Sequence, residues 1–335
     1  MFLPRLLSWN VTYECNLSCD HCYIDAVGVG EAPKTELTTE EGKRLLDQIA
    51  ELSKTVVVLS GGEPLLRKDI YELAEHGTEN GLRMVMGTNG ILIDDEVAVK
   101  LKDVGVMRVG ISIDSIYHDI HDEFRGEKGA LQKAIDGAKS CAKAGLSFQI
   151  HSTVITANYD DIAKQIEFAI DLGADAFHVF FLVPTGRAKD LVDITPQQYE
   201  KALRQIVENM KDYPIEVRPV CAPQFMRIAS KKGILTDMKH FTRGCLAGTN
   251  YCRIKPDGDV NPCPYLPIYI GNVKEESFAD IWNNSEIFKK LRDFNNLKEK
   301  CGICEFKDIC GGCRARAYAY TDDYLKEEPW CVYEP

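Results

Sequence analysis

The sequence has no excess of positive charge. Its 40 Lys and Arg residues face 51 Asp and Glu residues, which gives a formal net charge of −11 at pH 7. Proteins that bind nucleic acid through the phosphate backbone need clustered cations, and no long basic run is present here. We therefore expect no nucleic-acid partner.

Long apolar runs are missing as well. No stretch approaches the roughly 20 apolar residues that span a bilayer, and the N-terminus does not show a charged segment followed by an apolar stretch and a cleavage site. We expect no membrane partner and a cytoplasmic location. The 335 residues, 45% of them hydrophobic, are enough for one large α/β domain and a smaller one.

Cysteine, in contrast, is abundant. Of the 13 cysteines, three lie between Cys15 and Cys22 and eight follow from Cys245 onward. Disulfide frameworks are rare in a reducing compartment, so the clustering predicts metal sites near both ends of the chain. Cys141 and Cys221 lie alone between the groups. We expect Cys141 to be a small buried hydrophobic residue and Cys221 to have no partner at ligand spacing.

Apolar, β-branched segments alternate with helical ones in the first part of the chain. Strands are predicted within LLSWNVTY, TVVVLSGGEP, RMVMGTNG, MRVGISID, SFQIHSTV and AFHVFFLVP. One intervening helix is predicted to begin at a capping box formed by Thr38 and Glu41, and another to end at Gly145. Such βα units in series imply a parallel sheet, open or partly closed, with functional residues where the strands end.

The alternation fades after about residue 184. A helical stretch near 196–212 and a proline-containing connector, YPIEVRPVCAP, precede a cysteine-rich segment with many turns and a helix near 277–292. Because apolar residues are sparse in that segment, we expect it to need metal to fold. The predicted units are a barrel over 1–215, a connector over 216–243 and a cysteine-rich domain over 244–335.

The first three cysteines, Cys15, Cys19 and Cys22, lie in one short loop. Three thiolates can hold three corners of a cubane iron–sulfur cluster and leave the fourth iron open to a ligand. The alternative is a structural zinc site that takes its fourth ligand from His21 or elsewhere. The pattern Cys-x3-Cys-x2-Cys after a first strand resembles the radical S-adenosylmethionine (radical SAM) superfamily.

The resemblance extends to the later strand ends. SGGEP at 60–64, TNG at 88–90 and SIDS at 112–115 resemble, in order, the family's S-adenosylmethionine-binding motifs, although each alone is equally typical of a turn. The resemblance implies a partial (β/α)6 barrel, cleavage of S-adenosylmethionine to a 5′-deoxyadenosyl radical and a low-potential electron donor of the ferredoxin or flavodoxin type. The implied cofactor-binding residues are Gly61, Gly62, Glu63, Asn89, Ser112, Asp114 and Arg125.

Three further polar residues have two interpretations each. HDEFRG at 121–126 is predicted to be a loop over the barrel mouth, where Arg125 pairs with a carboxylate, and a surface ion pair is equally typical. His151 and His178 lie in the fifth and sixth predicted strands and can face either the barrel or the helices. We predict that each is a core histidine satisfied by one hydrogen bond.

The eight later cysteines match the number of ligands of two complete cubane clusters, although CxxC pairs alone are typical of zinc ribbons. Cys245, Gly258 and Cys263 resemble the start of a SPASM extension, which implies three [4Fe–4S] clusters in all. Cys310 and Cys313 enclose two residues where the family commonly has three, so the partition between clusters stays open. By resemblance the first auxiliary cluster takes Cys245, Cys252, Cys263 and Cys313, and the second takes Cys301, Cys304, Cys310 and Cys331.

The substrate is suggested by four blocks, among them VFFLVPTGRAKD and GCLAGTNYC. They resemble enzymes of anaerobic heme and heme d1 biosynthesis, especially the heme-synthase type that converts porphyrin propionates to vinyl groups by oxidative decarboxylation. They also resemble maturases of tungsten aldehyde oxidoreductases, and peptide-modifying enzymes share the cluster architecture. Tyr23 stands where the heme-synthase type tends to have Arg. An iron–sulfur electron carrier is the alternative that is not an enzyme.

The resemblance therefore implies a radical SAM oxidoreductase or maturase that acts on a tetrapyrrole, a protein or a peptide. Arg187, in the loop after the sixth strand, is our candidate for pairing with a propionate carboxylate, because guanidinium offers a planar fork; a solvated loop cation is the alternative. The sequence points to no catalytic residue, and it does not separate structural from redox-active auxiliary clusters.

Overall fold

The computed structural model describes residues 2–191, 193–234 and 243–335, and within these ranges ten strands form one sheet. The strands are β1 Leu6–Asn10, β2 Val56–Ser60, β3 Arg83–Thr88, β4 Val109–Ser112, β5 Phe148–Val154, β6 Ala176–Phe181, β7 Glu216–Val220, β8 Tyr251–Ile254, β9 Asp259–Asn261 and β10 Gly271–Asn272. Their order is β10-β9-β8-β1-β2-β3-β4-β5-β6-β7. All pairings from β8 through β1 to β7 are parallel, and β9 and β10 add two antiparallel pairings.

Helices connect the parallel strands and continue into the C-terminal segment. They are α1 Thr39–Leu52, α2 Ile70–Glu79, α3 Asp95–Asp103, α4 His118–Arg125, α5 Ala130–Ala144, α6 Ile162–Asp171, α7 Pro196–Asn209, α8 Gln224–Lys231, α9 Phe278–Asn284, α10 Glu286–Arg292, α11 Glu299–Ile303 and α12 Arg314–Thr321. Among these helices, none is both long and apolar enough to cross a bilayer.

The predicted α/β fold is confirmed, and all of the predicted strands occur in the predicted order. Thr38 and Glu41 form the expected capping box at the start of α1. Gly145 ends α5 in the left-handed region with φ 63°, which glycine adopts at little cost. Local signals of this kind set the lengths of the βα units, and so they decide which residues reach the strand ends.

Within the predicted connector over 216–243 the structure contains β7 and α8, and residues 235–242 of that range lie outside the described residues. Pro219 lies within β7, and a proline cannot donate to a neighbouring strand. Since β7 is the last strand of the order and pairs with β6, the missing donor costs little at that position. The C-terminal segment is not separate either, because β8 pairs in parallel with β1.

The two faces of the sheet differ in chemistry. One face carries the apolar residues of the parallel strands and packs against the helices; Leu7, Trp9 and Leu59 are fully buried there. Successive side chains of a strand point to opposite faces. The other face, which we call the inner face, therefore carries polar residues such as Asn10 and His151 between these apolar positions.

Candidate active site and cluster-binding cysteines

The predicted site loops lie together at the carboxyl ends of the parallel strands. The three-cysteine loop follows β1, SGGEP follows β2, TNG follows β3 and SIDS follows β4. Cys22 N donates to Cys19 O over 3.3 Å. The pKa of the Cys15 thiol is raised to about 12, mainly by burial and also by the neighbouring Glu63, Cys19 and Cys22, while the Leu17 N–H opposes the shift. Thiolates at these positions therefore need a nearby positive charge, which iron supplies when it binds.

His21 lies between Cys19 and Cys22 and stacks on Phe124, with ring centroids 4.1 Å apart and planes inclined by 10°. Burial lowers its pKa to about 3, so the ring is neutral. Within the described ranges, no three His, Cys, Asp or Glu side chains lie close enough together to hold a single metal ion.

Glu63 anchors the loops after β2 and β3. Its side chain is fully buried and accepts hydrogen bonds from Thr88 Oγ1 at 2.8 Å, Asn89 N at 2.9 Å and Leu65 N at 3.2 Å. Burial raises the Glu63 pKa to about 7, and these three donors partly oppose the shift. The carboxylate thus holds the two predicted S-adenosylmethionine-binding loops against each other.

Two glycines before Glu63 let the backbones of the first two loops touch. A Cβ atom on Gly62 would lie 2.0 Å from Glu14 O, and Gly61 has φ 148°, which side-chain-bearing residues rarely adopt. Gly62 N donates to Thr12 O over 2.9 Å, and Glu63 N donates to Glu14 O over 2.7 Å. The glycine pair is therefore required by the close approach to the three-cysteine loop.

Replacing Glu63 with glutamine should weaken S-adenosylmethionine binding. A glutamine has one acceptor oxygen, so its NH2 group would face the backbone N–H of either Asn89 or Leu65, donor against donor. The loss of a hydrogen bond to a charged group costs about 1.5–3 kcal/mol, equivalent to about a tenfold to hundredfold rise in Kd. The rise in Kd is measured by equilibrium binding of S-adenosylmethionine to the reconstituted protein. Glu72→Gln, at an exposed position, is the control. An affinity within about twofold of native would contradict this role.

Asp114 and Arg125 form an ion pair inside the protein. Arg125 Nε donates to Asp114 Oδ2 over 2.6 Å, Thr153 N donates to Asp114 Oδ1 over 2.8 Å, and the Asp114 side chain has no exposed surface. Burial alone would raise the Asp114 pKa, but the charge of Arg125 and the smaller effects of neighbouring groups, among them the Thr153 N–H, together lower it. Arg125 Nη1 also lies 3.9 Å from Cys19 Sγ. Arg125 thus reaches the three-cysteine loop, and Asp114 holds the Arg125 guanidinium from the other side of the ion pair.

The prediction of a loop at 121–126 is wrong, because residues up to Arg125 belong to α4 and Gly126 ends that helix in the left-handed region. The alternative of a surface ion pair is wrong too, since the Asp114–Arg125 pair is buried. The helix had a readable signal: its apolar and aromatic residues recur at helical spacing on the side that packs inward, with His121 and Phe124 buried.

The inner face carries a row of polar residues across β4 to β7. Ser112 lies opposite His151 in the register, His151 lies opposite His178, and the two imidazoles stack with centroids 5.2 Å apart. Gln149 Nε2 lies 2.6 Å from His151 Nε2 and 3.3 Å from His178 Nδ1. Burial lowers the His151 pKa to about 4. Both histidines are neutral and face the barrel interior rather than the helices.

Asn10 and Arg253 are two inner-face residues that the sequence analysis missed. Asn10 Nδ2 donates to Tyr23 OH over 3.1 Å, Arg253 Nε donates to Asn10 Oδ1, and the Arg253 guanidinium lies 5.2 Å from the Tyr23 ring centroid. Arg253 is buried, with 4% of its surface exposed. The pairing of β8 with β1 places Arg253 on the inner face. No local pattern in the sequence predicts that pairing.

Arg187 and Asn89 border the three-cysteine loop. Arg187 N donates to Cys22 O over 2.9 Å, while the exposed guanidinium lies 3.5 Å from Ser18 Oγ. Asn89 Nδ2 donates to Asn16 Oδ1 over 2.7 Å. Arg187 thus lies at the mouth of the barrel with its charge still exposed to solvent, where a ligand carboxylate can reach it.

Four of the later cysteines line one pocket. These residues are Cys301, Cys304, Cys310 and Cys331. Gln224 and Arg227 also line it, and their Nε2 and Nε atoms are buried with no hydrogen-bond partner in the described part of the protein. Orphaned N–H donors beside four thiols suit a group with acceptor sulfurs, since hydrogen bonds to sulfide are common at iron–sulfur clusters. The donor set therefore fits the predicted second auxiliary cluster.

The other predicted set is not brought together as a whole. Cys263 and Cys313 pack in the same small apolar cluster, and Cys245, Cys263 and Cys313 influence one another electrostatically. Cys252 lies in the main core with 0% exposure, and the charged group that acts on it is Arg292. Cys221, for which no partner was predicted, packs beside Cys263 and Cys313 instead.

Comparison with known proteins identifies relatives along the whole chain. A family model described as the Radical SAM superfamily matches residues 9–169, and the SPASM model, described as an iron–sulfur cluster-binding domain, matches residues 245–314. A protein named AdoMet-dependent heme synthase from Methanosarcina barkeri is 46% identical, covering 99% of this chain and 97% of that protein. Its namesake from Oleidesulfovibrio alaskensis is 40% identical, covering 99% and 88%.

Solved structures agree with the fold. Streptococcus suis SuiB bound to precursor peptide SuiA superposes with a TM-score of 0.79 at 19% identity, covering 99% of this chain and 77% of that chain. At this identity the similarity concerns the arrangement of strands and helices alone.

Proposed function

The chain belongs to the radical SAM superfamily with a SPASM domain and is a radical SAM enzyme, and on this premise we propose that it decarboxylates the propionates of an iron porphyrin to vinyl groups. The observation that carries the proposal is the 46% identity to the Methanosarcina barkeri heme synthase, which extends over nearly the full length of both chains. The match therefore includes the inner face and the C-terminal cysteines as well as the three-cysteine loop.

The cofactors of the proposal are S-adenosylmethionine and three [4Fe–4S] clusters. Cys15, Cys19 and Cys22 are the proposed ligands of the cluster with an open iron. The proposed S-adenosylmethionine-binding residues are Gly61, Gly62, Glu63, Asn89, Ser112, Asp114 and Arg125. When bound, these groups supply a 5′-deoxyadenosyl radical that removes hydrogen from the substrate and a nearby acceptor for one electron. A reduced ferredoxin or flavodoxin in the cytoplasm is the proposed electron source.

The side chains of the site act mainly by position. Glu63 fixes the loops after β2 and β3, and the buried Asp114–Arg125 pair fixes the loop after β4 next to Cys19. Because these charges are internally paired and buried, the site is assembled before substrate arrives. In this account they are positioning residues, and the reacting hydrogen is removed by the cofactor.

The substrate is proposed to lie against the inner face. Aromatic rings and neutral imidazoles there suit a flat macrocycle, and a few polar groups suit its edge. Tyr23 and Tyr265, with ring centroids 5.2 Å apart, border this space beside Arg253. Arg187, exposed at the mouth, remains our candidate for a propionate partner. Tyr23 replaces the expected Arg of the heme-synthase type, and Arg253 places a cation beside it.

The reaction balances for each propionate as follows. Loss of one hydrogen atom from the carbon next to the macrocycle leaves a carbon radical, the neighbouring carboxylate departs as carbon dioxide, and one electron leaves. The product is a vinyl group, so the macrocycle loses one carbon dioxide and two hydrogens per event. An electron acceptor close to the substrate is required, which gives the auxiliary clusters a redox role in this proposal.

The proposal is tested by mixing the anaerobically reconstituted enzyme with iron-coproporphyrin. We expect a shift of the Soret band on binding and, after adding S-adenosylmethionine and a low-potential reductant, products lighter by one or two carbon dioxide-plus-dihydrogen units. An iron porphyrin without propionates is the matched control and should not react. No Soret shift and no mass change with either iron-coproporphyrin or its siroheme-derived precursor would overturn the substrate assignment.

A further inference from the structure

We infer that Cys221, and not Cys252, is the fourth protein ligand of the first auxiliary cluster, together with Cys245, Cys263 and Cys313. The inference rests on the SPASM part of the proposed function and is independent of the substrate. It concerns which thiol faces the cluster, and this can be read from the sheet register and from the packing around each cysteine.

Cys252 is on the wrong face of the sheet. It lies in β8 between Tyr251 and Arg253 and is opposite Leu7 of β1 in the register. Alternation along a strand places Cys252 with Leu7 on the core face and the two flanking residues on the inner face. Arg253 makes its contacts with Asn10 and Tyr23 there.

The packing of the cysteines shows which of them lie together. Cys252 is fully buried in the main core, whereas Cys263 and Cys313 belong to a separate small apolar cluster. The Cys252 thiol therefore lies among core side chains and not beside those two cysteines.

Cys221 lies where the missing ligand is needed. It packs in the same apolar cluster as Cys263 and Cys313, around Val183 and Leu266. Cys221 and Cys263 are half-buried there, and Cys313 is buried. Three thiols gathered in one apolar cluster repel one another when ionised, and a cationic cluster core relieves that repulsion.

The fold holds Cys221 in this place with two independent contacts. Gly244 approaches Pro223 so closely that a Cβ on Gly244 would lie 2.7 Å from Pro223 Cβ, which brings the backbone beside Cys245 next to the backbone beside Cys221. Arg316 Nη2 donates to Cys221 O over 3.2 Å. Arg316 is in α12, which begins directly after Cys313. This contact therefore links the backbone of Cys221 to the helix that follows Cys313.

The backbone of Cys221 gives a third observation. Its φ is 57°, in the left-handed region, where a residue with a Cβ is uncommon and strained. A cysteine kept in a conformation that suits glycine directs its thiol to a place that an extended residue after β7 would not reach. This strain also supplies a clean variant, because Cys221→Gly removes the thiol and relaxes the backbone at once.

The test compares Cys221→Gly with Cys252→Ala after anaerobic reconstitution. We expect about twelve irons per chain in the native protein and in Cys252→Ala. Cys221→Gly leaves three thiolates, so we expect either the loss of about one to four irons or a retained cluster with an open iron and altered EPR parameters of the reduced state. A fresh [3Fe–4S] EPR signal after mild oxidation would mark the partial loss. Both measurements read the metal directly, so they stay informative even if the porphyrin proves not to be the substrate.

A second variant separates ligand loss from misfolding. Cys221→Ser keeps size and backbone and offers an oxygen ligand, so it should hold the cluster with altered EPR parameters of the reduced state, while the Cys15, Cys19 and Cys22 cluster keeps its native signal. The inference is overturned if Cys221→Gly and Cys221→Ser retain native iron and native EPR spectra, or if Cys252→Ala is the variant that loses the cluster.

Discussion

Cys19→Ala is expected to abolish formation of 5′-deoxyadenosine while the auxiliary clusters still assemble. The substitution removes one of three proposed thiolate ligands, and two thiolates do not hold a cubane whose fourth iron is already open. Cys19 also lies next to Arg125 at 3.9 Å, so the loss leaves that guanidinium beside a gap. Iron should fall from about twelve to about eight per chain.

The control for this variant is Cys141→Ala, because Cys141 is buried in α5 away from both cysteine groups. It should keep native iron content and native cleavage. Chromatographic assay of 5′-deoxyadenosine in the presence of a strong reductant gives the result. A Cys19 variant that cleaves S-adenosylmethionine at the native rate would show that the loop does not hold the cluster responsible.

Arg316→Met is expected to destabilise the protein by about 3–5 kcal/mol, the cost of removing one partner of a buried ion pair. Arg316 and Glu328 both have no exposed side-chain surface, and Nη1 lies 3.4 Å from Glu328 Oε1. Arg316 Nη2 also donates to Leu182 O over 2.8 Å. The guanidinium therefore joins α12 and the C-terminal tail to the ends of the parallel strands.

Thermal unfolding of the reconstituted protein measures the loss of stability. The control is Lys289→Met, which removes one partner of the exposed Lys289–Glu286 ion pair. The surface variant should change stability by less than about 1 kcal/mol. Adding Glu328→Gln to Arg316→Met should recover part of the loss, since the second change removes the unpaired buried charge. Native stability of Arg316→Met alone would contradict this account, because it would show that the buried pair contributes no net stability.

Much of this fold could be predicted from the sequence because its signals are local. β-Branched runs, the capping box at Thr38 and the glycine stop at Gly145 depend on a few neighbouring residues, and each appears where it was expected. The strand-end motifs follow from the order of those elements. Their meeting at one edge follows from the parallel arrangement of strands.

The features that could not be predicted depend on long-range pairing. The parallel pairing of β8 with β1 decides that Arg253 faces the interior and Cys252 does not, and it joins residues far apart in the chain. The strand β7 was not predicted because Pro219 is typical of a connector between elements. A proline is nevertheless tolerated in an edge strand such as β7. Cys252 was predicted to be a ligand from the family resemblance, and Cys221 was not, because it has no partner at ligand spacing. Neither signal says which face of the sheet a side chain occupies.

The most direct test of the account uses iron-coproporphyrin with deuterium on the propionate carbons next to the macrocycle. Incubated anaerobically with the enzyme, S-adenosylmethionine and a low-potential reductant, it should yield 5′-deoxyadenosine that carries one deuterium, in proportion to the vinyl groups formed. If 5′-deoxyadenosine forms without deuterium and the porphyrin mass is unchanged, the enzyme cleaves S-adenosylmethionine but acts on a different substrate.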